Sequence, residues 1–202
     1  MRYGHFDDAA REYVIDRADV PVSWTNYIGT ERMGGVFNHT AGGYVWLDSP
    51  EYHRITRFRP NGVPMDRPGH YVYLRDSETG RYWSVSWQPV GVPLDQAKYS
   101  CRHGLSYSRY QCEVEGISAS QTIFIPRRDE VVLWDVVIRN DSGRARTLDA
   151  FGYVEFSFHH IAMDNQNFQM SLYASGSRCV DGAVEVELHY GEDSFQVFTM
   201  SA

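Results

Sequence analysis

The densest collection of side chains able to do chemistry lies in residues 151–170, FGYVEFSFHHIAMDNQNFQM. Its first half alternates as a strand does, and its second half gathers His159, His160, Asp164, Asn165, Gln166, Asn167 and Gln169. Imidazole and amide groups both donate and accept hydrogen bonds, so this set suits neutral, hydroxyl-rich ligands such as sugars. His159, His160 and Asp164 also admit a metal reading. Neighbouring strand residues face opposite ways, however, and two adjacent imidazoles meet one ion only where the chain bends, so no metal is expected. Glu155, near the end of an apolar strand, is either an acid whose pKa burial raises or the partner of an arginine. The run Tyr52, Arg54, Arg57, Phe58 and Arg59, with Arg67 and His70 beyond it, likewise has two readings. Guanidinium forks can grip oxyanions beside stacking rings, or they can pair with the acidic excess and cross-brace the fold. The chain has no phosphate-cradling glycine loop, nucleophile elbow or zinc-helix motif, and Gly34-Gly35 and Gly42-Gly43 read as turns. Cys101, Cys112 and Cys179 have no metal-ligand spacing, and an odd number completes no disulfide framework. All three are expected reduced, with Cys112 on a strand.

The elements that must position these groups read as strands. From Gly43 onward, short β-branched or aromatic runs alternate with period two between turn signals. Candidate strands are 44–47, 54–59, 70–75, 83–87, 105–113, 117–125, 130–140, 146–158, 167–174, 183–189 and 195–200. Turns at 76–80, Glu115-Gly116, 141–143 and Asp181-Gly182 carry residues that tolerate positive φ, and Pro60, Pro64, Pro68, Pro89 and Pro93 confine the long central loops. No internal helix is expected. Apolar residues on both faces of 130–140 and 146–158 predict strands covered on both sides, in the middle of large packed sheets. The expected fold is all-β, a large two-sheet antiparallel β-sandwich over 41–202. Residues 1–40 are expected to be an irregular arm lying over it, held by Trp24, Tyr27 and Ile28.

Bulk properties narrow the function classes. A chain of 202 residues can bury roughly 70% of its unfolded surface, enough for a sizeable core. Its 19 basic residues, nearly all arginine, stand against 26 acidic ones for a net charge of -7. That balance argues against a nucleic-acid or anionic-membrane partner, which needs clustered positive charge. No apolar run approaches the ~20 residues of a spanning helix, and the first residues lack the apolar core of a signal peptide. A cytoplasmic location is therefore expected.

Several segments together resemble one family. MRYGHFDDAAREYVI, WTNYIGTE, HTAGGY, RITRFRPNGVP, RHGLSYS, VEFSFHHIAMDNQN and QMSLYASG are similar to the amino-terminal region of glycoside hydrolase family 94 phosphorylases, the cellobiose and chitobiose phosphorylase group. DRPGHYVYLRD, WSVSWQPV and FGYVEFSF resemble the chitobiose and cellobionic acid phosphorylase branch more than the cellobiose one. The resemblance implies a galactose-mutarotase-like supersandwich, incomplete at the carboxy terminus, followed in complete members by a linker, a helical barrel and a small β-domain. It also implies an inverting reaction in which inorganic phosphate, the co-substrate, attacks the anomeric carbon of a β-linked disaccharide while one aspartic acid protonates the departing oxygen. Phosphate is already an anion, so one general acid suffices and no cofactor is needed.

In the family that acid lies in the barrel, so no catalytic residue is expected in this chain. The resemblance further implies a homodimer in which a sandwich loop closes the neighbouring subunit's sugar site. The matching loop is 159–170, which makes Gln169, Asn165, Asp164, His159, His160 and Met170 the candidate substrate-binding residues. Gln169 matches a glutamine of that loop. Two positions depart from the pattern: Met170 stands where cellobiose phosphorylases have arginine, and Leu47 where the family usually has tyrosine. The competing functions are an independent carbohydrate-binding module using Trp46, Trp83 or Trp87, and a purely structural oligomerisation domain. Should the family sandwich continue beyond Ala202, its missing strands would leave sheet edges open to self-association.

Overall fold

A computed structural model describes residues 2–58, 68–166, 175–190 and 194–201. Its widest sheet has six strands, in the order β1 (Gly4–Asp7), β2 (Glu12–Ile15), β9 (Ala97–His103), β10 (Tyr107–Val114), β11 (Ile117–Phe124) and β12 (Leu133–Asn140). A five-stranded sheet is ordered β14 (Phe156–His159), β6 (Arg54–Thr56), β5 (Gly43–Leu47), β4 (Met33–Asn38) and β3 (Thr25–Gly29). A three-stranded sheet consists of β13 (Leu148–Tyr153), β7 (Tyr71–Asp76) and β8 (Tyr82–Ser84). The remaining sheet holds β15 (Ser175–Val180), β16 (Ala183–Tyr190) and β17 (Ser194–Ser201). Every pairing is antiparallel.

Period-two patterning explains the layers. Along β10 and β11 burial alternates residue by residue, sending Tyr110, Cys112, Val114, Ile117, Ala119, Gln121 and Ile123 inward. The two strands meet at Glu115-Gly116, both at positive φ (50° and 78°), as a tight hairpin turn requires. This inner face covers two apolar clusters. One joins it to Ile28, Phe37, Val45 and Ile55 of the five-stranded sheet, and the other to Val72, Leu74 and Trp83 of the three-stranded sheet. The six-stranded sheet is thus one layer of the sandwich, and the two smaller sheets side by side form the other.

The all-β expectation holds, with four corrections. Residues 1–40 are not an irregular arm, because β1 and β2 extend the six-stranded sheet and β3 and β4 build the five-stranded one. These strands are short and broken by glycine, so little periodicity shows in the sequence. Gly34-Gly35 is no turn: it lies inside β4, where a Cβ on Gly34 would sit 2.4 Å from the Trp46 ring and one on Gly35 2.6 Å from Phe37. The run 146–158 is two strands in different sheets, parted at Val154-Glu155. Finally, β12 and β13 are not central; each ends its sheet, and much of their apolar surface is exposed. The expected strand 167–174 lies outside the described residues.

Histidines shielded from solvent make the core sensitive to acid, His70 and His39 buried and His103 partly so. His70 sits between the rings of Phe37 (5.1 Å) and Trp134 (5.7 Å), and neither ring nitrogen has a hydrogen-bond partner. Burial drives its pKa down to about 3, and burial likewise drives that of His103 to about 4. The unfolded chain takes up these protons near pH 6.5, whereas the folded chain refuses them until far lower. Stability is therefore fully present above pH 6.5 and is lost as the pH falls towards 4, by about 1.4 kcal/mol per unit for each histidine. His70→Leu removes one protonation and two unpartnered nitrogens at similar volume. Urea denaturation from pH 7 to 4 should show a shallower pH slope for this variant than for the wild type, with no loss of stability at pH 5.

Candidate functional site

The predicted loop forms around a local break in β14. Between Phe156 and His159 the pairing with β6 shifts register, and Phe158 adopts φ 48°, a left-handed conformation that an unstrained strand avoids. The chain turns there and enters a short helix, α1 (Ile161–Gln166). No helix was expected, and at six residues this one is too short to imprint a helical period. The His160 Nδ1 accepts the Ala162 amide at 2.9 Å, capping the first turn as an N-cap side chain does. Its Nε2 consequently carries the proton and faces the Glu51 carboxylate at 3.6 Å.

The hairpin between β5 and β6 packs against this turn. The Ile161 amide donates to the Glu51 carbonyl at 2.9 Å, and the Tyr52 ring meets His160 edge-on at 4.9 Å. Neither contact was visible in the sequence. Tyr52 stood out only as part of the arginine-aromatic run, and nothing singled out Glu51.

Two buried arginines fix this geometry. Arg57 donates Nε and Nη2 to the Asp164 carboxylate at 3.0–3.3 Å and Nη1 to Glu155 at 3.3 Å. Glu155 in turn accepts the Tyr153 hydroxyl. Burial works against the Arg57 charge, but the hydrogen bonds and charge of Asp164, joined by Glu155, more than offset this and raise its pKa. Arg54 donates to the carbonyls of Pro50 and Phe58 and lies 3.7 Å above the Tyr44 ring, a cation–π contact made stronger by burial. Of the two readings of the arginine run, the described members follow cross-bracing: Arg54 and Arg57 are buried braces and His70 is a core residue. Arg59 and Arg67 lie outside the described residues. Glu155 is an arginine's partner.

The structure thus brings His160, Asp164 and Asn165 together on one turn. Asp164 is buried and its carboxylate is held by Arg57, whereas Met163, Asn165 and Gln166 face outward. His159 pairs with Arg54 through its backbone. Gln169 and Met170 lie outside the described residues. Leu47 packs against the main core. Among the described residues, no three metal-ligating side chains converge. The three cysteines are unpaired, Cys101 and Cys112 buried and Cys179 exposed. A shallow hollow of about 540 Å³ lined by Lys98, Ser100, Gln111, Ser118 and Arg139 lies on the six-stranded sheet and includes none of the predicted site residues. The exposed side of α1 offers neutral amides, fitted to hydrogen-bond a sugar hydroxyl or amide.

Comparison with known proteins agrees with this architecture. The family described as glycosyl hydrolase 94, supersandwich domain, matches residues 11–201. The chain belongs to this family. Its supersandwich is 56% identical over 198 residues to an N,N'-diacetylchitobiose phosphorylase of Vibrio proteolyticus, and 57% identical over 198 residues to that of Vibrio furnissii. Each match covers 98% of this chain and 25% of the relative. Identity to a solabiose phosphorylase of Paenibacillus borealis is 33% over 168 residues, covering 79% of this chain and 21% of the relative. The supersandwich therefore spans about a quarter of the length of these curated relatives. None of the described helices is long and apolar enough to cross a membrane.

The Arg57–Asp164 pair joins segments 107 residues apart and is almost fully shielded from solvent. Removing Asp164 takes the main carboxylate partner from a buried guanidinium that keeps its Glu155 contact, and breaking a buried pair typically costs up to about 3–5 kcal/mol. Asp164→Ala should lower the unfolding free energy by about 2–3 kcal/mol, Glu155 offsetting part of the loss. The double variant Arg57→Met/Asp164→Leu should recover most of the loss, as read by a double-mutant cycle in urea.

Proposed function

We propose that the chain is the amino-terminal, non-catalytic part of an inverting disaccharide phosphorylase whose substrate is a β-linked disaccharide of acetamido sugars, of the N,N'-diacetylchitobiose type. The carrying observation is the contrast in identity, 56–57% with two diacetylchitobiose phosphorylases against 33% with the solabiose enzyme. Inorganic phosphate is the co-substrate, and the departing sugar oxygen takes its proton from an acid outside this chain. Three unpaired cysteines fit a reducing compartment, and the cytoplasm is the proposed location.

The role assigned to the supersandwich is to close a sugar site. In this proposal residues 159–170 extend towards the active site of the second subunit of a homodimer, with Gln169 and Asn165 hydrogen-bonding the leaving sugar. Support comes from the architecture behind the loop. The buried Arg57–Asp164 clamp and the His160 cap make α1 a fixed base for the residues that follow, and a contact of this kind acts only when its base is rigid. The neutral outer side of α1 fits a hydroxyl-rich ligand better than phosphate. An autonomous carbohydrate-binding module is disfavoured because Trp83, one of its three candidate platforms, is fully buried and Trp87 is tied through Nε1 to the Val92 carbonyl.

The complete enzyme should convert N,N'-diacetylchitobiose and phosphate to a sugar 1-phosphate, and use cellobiose at least tenfold less efficiently by kcat/KM. Residues 1–202 alone should give no turnover. Gln169→Ala in the complete enzyme should raise KM for the disaccharide about tenfold, the worth of roughly 1.4 kcal/mol of lost hydrogen bonding. Unchanged kinetics would leave the loop a structural role only.

A further inference from the structure

The residue that caps α1 can change its charge. His160 is the N-cap: its carbonyl accepts the Asp164 amide at 3.1 Å, the first bond of the helix, and its Nδ1 accepts the Ala162 amide at 2.9 Å. A backbone amide only donates, so this second bond exists only while Nδ1 carries no proton. Asparagine, aspartate and serine, the common N-caps, keep their acceptor at neutral pH. A histidine side chain changes charge between about pH 8 and 5, and with that change Nδ1 turns from acceptor to donor.

Few other contacts hold α1. At six residues it is far below the ~12–15 at which even an isolated alanine-rich helix is marginal in water. The strand before it is broken, with β14 shifting register against β6 between Phe156 and His159 and Phe158 at φ 48°. Asp164 fastens the inner side of the helix to Arg57, and the Ile161 amide donates to the Glu51 carbonyl at 2.9 Å. The charged groups around the ring leave its second nitrogen unaffected by a proton at Nδ1. From the β5–β6 hairpin, the Glu51 carboxylate faces Nε2 at 3.6 Å and Tyr52 meets the imidazole edge-on. His53 of the same hairpin interacts with Asp48, and Arg54 of β6 donates to the carbonyls of Pro50 and Phe58. On α1 the Asp164 carboxylate is held by Arg57. Nε2 carries a proton in both charge states and can face Glu51 in either, so only the cap reverses its role.

We infer that His160 is a positioning residue for the sugar site: with Nδ1 free of a proton it holds α1 so that the exposed amides of Asn165 and Gln166 are presented to the substrate, and protonation of the ring releases them. The inference rests on the site-closing role proposed above. An imidazolium sets its Nδ1–H against the Ala162 N–H, two donors in conflict, and the ring must leave the cap. A loop that is correctly placed in only part of the population binds its ligand more weakly by that fraction. The disaccharide is therefore held less well in acid, while the chemical step is untouched.

Steady-state kinetics of the complete enzyme with N,N'-diacetylchitobiose and phosphate test this. At about pH 7.5, His160→Leu should raise KM for the disaccharide about fivefold, the weight of a lost N-cap, and leave kcat and KM for phosphate within about twofold. His160→Asn, whose amide oxygen caps without titrating, should bring KM back to within about twofold of the wild type. From about pH 8 to 5.5 the ratio of the wild-type KM to that of His160→Asn should rise about fivefold; titration of phosphate and of the acid outside this chain cancels in that ratio. A flat ratio, or an asparagine variant as impaired as the leucine variant, overturns the inference. So does a wild-type KM in His160→Leu where Gln169→Ala raises it. Unchanged KM in both Gln169→Ala and His160→Leu overturns the site-closing role, and the inference with it. Hydrogen exchange of the complete enzyme reads the cap without any sugar: peptides covering 160–166 should exchange several-fold faster in His160→Leu than in the wild type or His160→Asn, and equal rates in all three overturn the cap itself.

Discussion

The buried contact between Arg57 and the carboxylates of Asp164 and Glu155 is the constraint on which the candidate site depends. Arg57 leaves β6, Glu155 links β13 to β14, and Asp164 is the inner residue of α1. One guanidinium therefore ties together the hairpin beneath the site, the crossing between two sheets and the turn that carries the polar residues. A hydrophobic contact could hold these segments together as firmly, but not in one orientation. The forked donor fixes direction as well as distance. Charge buried this way is costly unless satisfied, so the helix has little freedom to settle elsewhere.

The same logic recurs at the other end of the three-stranded sheet. Asp76 accepts the amides of Glu78 and Thr79 and the Nε of Arg146. The Thr79 amide, working against the cost of burial, and then Arg146 hold its carboxyl down at about 2. Here too a charged pair closes a turn and joins it to a distant strand, with Ser77 donating its amide to the Thr147 carbonyl alongside. Arginine is nearly the only cation in the chain, and several of its copies act as internal braces. This leaves the exposed side of α1 without a described cation of its own.

An open flank and a sealed interior coexist in this sandwich. Where both layers are continuous, as at Tyr110, Ile123 and Phe37, the side chains are fully buried. Where the layers end, at Val136 and Ile138, residues of the same inward phase stay wet. The difference arises from what lies across from each residue, not from its own type. The same apolar pattern therefore occurs in the centre of a sheet and at its edge.

The sequence by itself determined the all-β class, the tight turns at Glu115-Gly116 and Asp181-Gly182, and the family, because period-two patterning, positive-φ residues and ordered motifs are local. It also marked 151–170 as the stretch of interest, and it offered an arginine partner for Glu155 as one of two readings. Only the tertiary structure decided which arginine that is, that Asp164 faces inward and not towards a ligand, and that β12 and β13 end their sheets. These are properties of residues about a hundred positions apart. Apolar residues on both faces of β12 fit a central strand, and no local pattern states that this strand ends its sheet. Burial and pairing depend on what the rest of the chain brings alongside, and that is fixed only when the layers assemble.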